Sequence, residues 1–203
     1  MVAAAIARTL AREGRTVAVF KPAVTGLEEA GEADHELLRR AAGSGQSDAE
    51  IAPYRYGPPA SPHLAAALAG ERIDPEVVLE AARAAGAGAE ALVCEGVGGL
   101  LVPLADDYLV RDLAVDLALP LVVAASPGLG TINHTLLTVE SARAAGLEVR
   151  AVVLTPWPEQ ASAIEASNRK TIAELGDVPV LTLPQLDLAD RDAWPPLQAL
   201  HPL

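Results

Sequence analysis

The sequence predicts a doubly wound α/β fold with a mostly parallel sheet. Three observations carry that reading. Apolar strand-like runs alternate with helical stretches along the whole chain. The strand runs are continuous Val, Leu and Ala rather than alternating apolar and polar residues, as in strands covered on both faces. Glycine-rich turns follow several of them, at the ends where such sheets bind ligands.

The elements follow in order. Residues 2–13 read as a helix, with Val2, Ile6 and Leu10 on one face and Gly14 as its stop. RTVAVF (15–20) reads as a strand, followed by a polar loop and a short helix around DHELLRR (34–40). SPHLAAALAG (61–70) and DPEVVLEAARAAG (74–86) are helical, each with a capping residue ahead of a proline. ALVCE (91–95) is a strand leading into a glycine-rich turn. LPLVVAA (119–125) is a strand, and GLGTINHTLLTVESARAAG (128–146) is a loop and helix. LEVRAVVLT (147–155), EQASAIEASNRKTIAELG (159–176) and VPVLTL (178–183) give strand, helix and strand. A polar, proline-containing tail follows Leu186. The 203 residues suit a single domain spanning 1–203.

Composition narrows the function. The chain is 51% hydrophobic but only 3% aromatic, so Ala, Leu and Val must build its core. A net charge of -12 argues against a broad nucleic-acid or membrane surface, since both need clustered Lys and Arg. The longest apolar stretch, Leu117 to Ala125, is too short to span a bilayer and contains Pro120. Arg8 and Arg12 follow the apolar start instead of preceding it, the wrong order for a signal peptide. With a single cysteine, Cys94, the simplest location is the cytoplasm.

Three segments carry chemistry. FKPAVTG (20–26) puts Lys21 on a strand terminus at the ligand edge, where a point charge suits phosphate or carboxylate oxygens. A solvent-facing lysine accounts for it equally well. CEGVGGLLVPL (94–104) ends a strand on Glu95, an acid where nucleotide enzymes hold Mg2+. Gly96, Gly98 and Gly99 after it let backbone amides approach phosphates, and this density of glycine favours a functional turn. SPGLGTINHT (126–135) sets glycines before a helix whose free N–H groups suit an anion. By spacing alone, an ordinary loop with a capping Thr or Asn describes it better. Asp34 by itself reads best as a helix N-cap, and Cys94 as a small buried hydrophobe. The histidines show no metal-ligand spacing, and none reads as catalytic.

Taken in order, KPAVTG, the Asp34 helix, APYRYGPPASPH (52–63), CEGVGGLLVPL, GLGTINHT and LPQL (183–186) resemble the dethiobiotin synthetase family. The resemblance runs from residue 1 to about residue 186 and implies the P-loop class of α/β fold. It implies an ATP- and Mg2+-dependent ligase of biotin biosynthesis, acting as a homodimer on 7,8-diaminononanoate and CO2. Lys21 matches the family's active-site lysine and Thr25 its substrate-contacting hydroxyl. Asp34 and Glu95 match its Mg2+ carboxylates, and Gly96, Val97 and Gly98 lie in its nucleotide segment. Gly128, Leu129, Gly130 and Asn133 match the loop that grips the substrate carboxylate across the dimer interface. Thr155, Pro156, Pro184, Gln185 and Leu186 fall where the family holds adenine.

The sequence departs from the family pattern at three places. The family's phosphate-binding loop and the strand before it would precede Met1, so the natural reading frame is expected to start upstream with Gly-x-x-x-x-Gly-Lys-Thr. Val97 replaces the usual alanine, and Thr155-Pro156 replaces an adenine-reading Asn-Asp pair. Two other readings stay open: an inactive nucleotide-fold interaction protein, and another P-loop relative such as a cobyrinate amidase or a partitioning ATPase. Lys21, Thr25, Asp34, Glu95 and Asn133 together favour the enzyme, since a scaffold needs none of them.

Overall fold

The computed structural model describes residues 1–29 and 31–197. It opens with helix α1 (Val2–Arg12), whose predicted stripe of Val2, Ile6 and Leu10 is buried along with Ala4, Ala5 and Ala7. Alanines flanking the stripe widen the apolar face beyond what its larger residues mark. Chain contacts then divide the molecule into two compact units, residues 6–117 and residues 118–203 together with 1–5.

In the 6–117 unit, β1 (Val17–Phe20) is buried throughout. It pairs in parallel with β4 (Ala91–Cys94), from Val17 opposite Ala91 to Phe20 opposite Cys94. Two short strands, β2 (Ala23–Val24) and β3 (Tyr54–Arg55), form a second parallel ladder. Helix α2 (Asp34–Ala42) stops at Gly43, whose φ of 64° is the left-handed conformation that favours glycine after a helix. Helix α3 (Asp48–Ile51) is capped by Ser47, which accepts from the amide of Glu50. Helices α4 (Pro62–Leu68) and α5 (Pro75–Gly86) each begin on proline, where the missing N–H has no intrahelical partner to lose. The antiparallel pair β5 (Pro103–Ala105) and β6 (Tyr108–Leu109) and helix α6 (Val110–Leu117) complete the unit. Phe20, Ile73, Val78, Leu104 and Leu113 share its core.

The 118–203 stretch holds a three-stranded parallel sheet, ordered β7 (Leu121–Ala125), β8 (Val149–Trp157) and β9 (Val180–Pro184). Helix α7 (Thr131–Ala144) connects the first pair and α8 (Ala163–Gly176) the second. Ser162 caps α8 with its hydroxyl on the Glu165 amide, and the Glu165 carboxylate accepts from the Ser162 N–H at 2.7 Å. Val152, Leu154, Val139 and Ile172 form this unit's core.

Three expectations change. The predicted strand at 147–155 starts two residues later and runs on to Trp157, pairing with Pro184 beyond a register irregularity. The tail after Leu186 is not purely polar. A 3-10 turn at Arg191–Ala193 leads into Trp194 and Leu197, both buried, and the Trp194 indole donates to the Asp187 carbonyl at 2.6 Å. The tail's remaining residues, 198–203, lie outside the described residues. Third, α3, β2 with β3, and β5 with β6 are elements that periodicity could not reveal, because each is two to four residues long.

Leu154 is fully buried at the centre of β8. Leu154→Ala should therefore cost about 2–5 kcal/mol of unfolding free energy in chemical denaturation. A loss below about 1 kcal/mol would contradict the packing described.

Candidate active site

Parallel pairing builds the site. Because β1 and β4 run the same way with Phe20 opposite Cys94, the residues just beyond both strands are neighbours. These are Lys21 and Glu95, and the Glu95 amide continues the ladder by donating to the Phe20 carbonyl at 2.8 Å. Side chains alternate along a strand, so residues at matching positions share a face. The Lys21 Nζ accordingly donates to Glu95 Oε1 at 2.7 Å. It also meets Asp34 Oδ2 at 2.8 Å and the Gly96 carbonyl at 3.3 Å.

Lys21 is only 4% exposed. A buried ammonium is costly unless paired and hydrogen-bonded, and here three oxygens satisfy it. Burial pushes its pKa down, but the neighbouring Glu95 and Asp34 carboxylates outweigh that and hold it above the ordinary 10.5. Asp34 feels the converse. Partial desolvation works to raise its pKa, and Lys21 brings it below the ordinary 3.8. The Asp34 side chain keeps 54% of its surface open, so one side of the cluster faces solvent.

The rest of β1 is held from its other edge. The Gln46 side-chain amide accepts from the Val19 N–H at 2.9 Å and donates to the Val19 carbonyl at 3.1 Å, taking the place of a strand. The Lys21 amide donates to the Ile51 carbonyl at 2.8 Å. Sequence reading missed Gln46, because a lone glutamine in a loop carries no sign of the edge it will pair.

Other expected residues fall as follows. Thr25 is half-buried just past β2. Asp34 is not the N-cap of its helix: Ala33 occupies that position, which frees the Asp34 carboxylate for Lys21. The glycines after Glu95 have reasons within the fold. A Cβ on Gly96 would come within 3.0 Å of Val110, and Gly98 has φ +69° with Val102 at the same distance from a Cβ. Val97 places its side chain in the apolar core, which leaves only its backbone for a ligand. Cys94 packs against that core, and burial pushes its thiol up to about 12, so it is no nucleophile.

In the other unit, the loop before α7 is closed by Gly130 as N-cap at φ +89°, not by the Thr or Asn expected. Leu129 is 98% exposed. Gly128, Gly130 and Asn133 surround the helix start, and the buried Asn168 of α8 donates to the Pro127 and Gly128 carbonyls. Thr155 and Pro156 lie on the β8 end, beside Pro184 at the end of β9. Gln185 is exposed and Leu186 buried.

A family model described as an AAA domain matches residues 1–192. An ATP-dependent dethiobiotin synthetase BioD of Rhodococcus erythropolis is 38% identical over 185 residues, 90% of this chain and 81% of the relative. This chain belongs to the ATP-dependent dethiobiotin synthetase family. A synthetase of the same name from Bacillus cereus is 38% identical across 90% of this chain and 76% of its own length. One from Anaeromyxobacter dehalogenans strain 2CP-C is 38% identical across 94% and 86%. The family consists of ATP-dependent ligases, and its fold is the α/β P-loop class that the parallel ladders here fit.

The resemblance in sequence implies Mg2+, and the donor set at Lys21 bears on how such an ion would be held. Two carboxylates, Asp34 and Glu95, face the one Lys21 ammonium. Among the described residues no group of three or more His, Cys, Asp or Glu could cage an ion. Mg2+ is commonly held by one or two carboxylates with water and substrate phosphate completing its shell. Asp34 and Glu95 fit that mode, and they could hold the ion by releasing Lys21.

The pair also dictates a pH dependence. Asp34 titrates lower in the folded chain, so its contact stabilises above pH 3.8, and that stabilisation is lost as pH falls through the depressed folded value. Lys21 titrates higher, so its contribution is complete below pH 10.5 and is lost as pH rises through its raised value. Asp34→Asn should therefore flatten the acid limb of stability plotted against pH. Denaturation midpoints on either side of pH 3.8 measure this, and an unchanged acid limb would mean that the ion pair does not form.

Proposed function

We propose that the chain closes the ureido ring of dethiobiotin from 7,8-diaminononanoate, CO2 and ATP. The observation that carries this is the buried Lys21 ammonium at the ends of β1 and β4, clamped between Asp34 and Glu95. A structural ion pair needs one carboxylate. A second, half-open one sets two carboxylates at one point, the arrangement that suits a nucleotide's Mg2+.

The reaction this reading assigns begins with one substrate amine adding to CO2, forming a C–N bond and releasing a proton to give a carbamate. A carbamate oxygen then attacks the γ-phosphorus of ATP. The bond to the β,γ-bridging oxygen breaks, ADP leaves, and a carbamic-phosphoric anhydride remains. The second amine attacks the carbonyl carbon and expels phosphate, which closes the ring. Charge gathers on oxygens throughout, so positioned cations serve best. Lys21, protonated across the neutral range, is suited to steady the carbamate and phosphoryl oxygens. Bound at Asp34 and Glu95, Mg2+ would offset the negative charge of the phosphates. Thr25 offers a hydroxyl to the diamine. Gly96 to Gly98 offer backbone to the nucleotide, and the paired ends at Thr155, Pro156 and Pro184 to Leu186 flank the base.

The Gly128–Asn133 loop would receive the carboxylate at the far end of the substrate. A homodimer fits the exposed Leu129, Leu137 and Ile164 on and beside that loop and its helices. Cytoplasmic location follows from the pathway. Among the described residues, no helix is long and apolar enough to cross a membrane.

Lys21→Gln should lower ring closure by about 10²-fold or more in protein whose circular dichroism is unchanged, the scale of removing one electrostatic stabiliser. Normal turnover would overturn the assignment. Glu95→Gln should weaken Mg2+-dependent ATP binding more than diamine binding when both are titrated calorimetrically. Equal losses would make Glu95 structural.

A further inference from the structure

Asn168 lies midway along α8 and is 8% exposed, yet it is spent on a loop. Its Nδ2 donates to the Pro127 carbonyl at 2.9 Å and to the Gly128 carbonyl at 3.1 Å. An amide NH2 has two hydrogens, and these two acceptors are consecutive along the chain. In a trans peptide, the C=O of one residue and the N–H of the next point in opposite directions. Drawing the Pro127 and Gly128 carbonyls toward α8 therefore turns the N–H groups of Gly128 and Leu129 away from it. Helix α7 starts two residues later, with no side-chain cap at Gly130. Among the described residues the amides of Ile132 and Asn133 have no acceptor.

We propose that Asn168 is a positioning residue for the substrate carboxylate. It fixes two peptide planes so that the Gly128 and Leu129 amides join those of Ile132 and Asn133 around one anion. The proposal rests on the reading of the Gly128–Asn133 loop given above. The Gly128 carbonyl also accepts from the Thr131 N–H at 3.3 Å, longer than either bond from Asn168. Gly128 and Gly130 permit either orientation of the peptides beside them, and the intervening Leu129 side chain is almost wholly in solvent. A flipped plane would aim a carbonyl oxygen at the anion in place of an N–H, turning attraction into repulsion. Hydrogen bonds from a buried amide with no alternative partner would be costly to break, and this biases the loop toward the receptive form.

Calorimetric titration of the full chain with 7,8-diaminononanoate, and with the same compound carrying a neutral carboxamide in place of its carboxylate, tests this. The unmodified protein should bind the acid more tightly than the amide. In Asn168→Leu that preference should shrink about tenfold while carboxamide affinity stays the same, the scale of an anion's interaction with a helix start. An undiminished preference in the variant overturns the proposal, and so does an equal loss for both compounds, which marks a purely structural residue. Should Asn168→Leu fail to bind the carboxamide at all, Asn168→Ala, which adds no bulk, decides by the same ratio. If the unmodified protein shows no preference for the acid, the carboxylate reading of the loop falls, and the role of Asn168 falls with it.

Discussion

A single buried ammonium organises the 6–117 unit. Lys21 cannot stay charged in a 4% exposed position unless oxygen surrounds it, so the chain must bring Asp34, Glu95 and the Gly96 carbonyl to the same point. Each arrives from a different element. Register between β1 and β4 delivers Glu95, the start of α2 delivers Asp34, and the turn after β4 delivers the carbonyl. Gln46 and Ile51 fix the far edge of β1, which keeps the lysine from sliding along its strand. The cluster is thus both a fold constraint and a charged site with one open side.

For the 118–203 stretch, the proposed function assigns a ligand contact of another kind. Its candidate anion site has no cation among the loop residues Gly128 to Asn133. In the proposed function backbone dipoles at a helix start would do that work, and their direction depends on which way each peptide plane is turned. Arg143, at the end of α7, donates to the Gly176 and Asp177 carbonyls at 2.7 and 2.9 Å, while Asn168 ties the start of the same helix to α8. Helix and loop are therefore held at both ends by polar bonds, with Val139 and Ile172 packed between them.

Most strands and long helices could be read from the sequence because they persist for several periods of their own pattern. VAVF, LVVAA and the α8 segment each repeat a burial rule often enough to be recognised. Asp34 shows where local reading fails. At a helix start a capping role is the natural expectation, yet the carboxylate turns away from its own backbone to a lysine thirteen positions earlier. In the sequence Gly96 and Gly98 signal openness to phosphate, while their packing against Val110 and Val102 depends on chain folded back from further along.

By itself the sequence determined residue types and their order: a lysine and a glutamate each placed just after an apolar strand, and glycines ahead of a helix. These are local facts, fixed by hydrophobic period and backbone freedom, and they were enough to mark the parallel α/β class and the family resemblance. Only the tertiary structure decided which partners those residues have. Lys21 and Glu95 are 74 positions apart, and Asn168 and Gly128 are 40 apart. Such contacts are set by strand register and helix packing across the core, which no window along the chain contains.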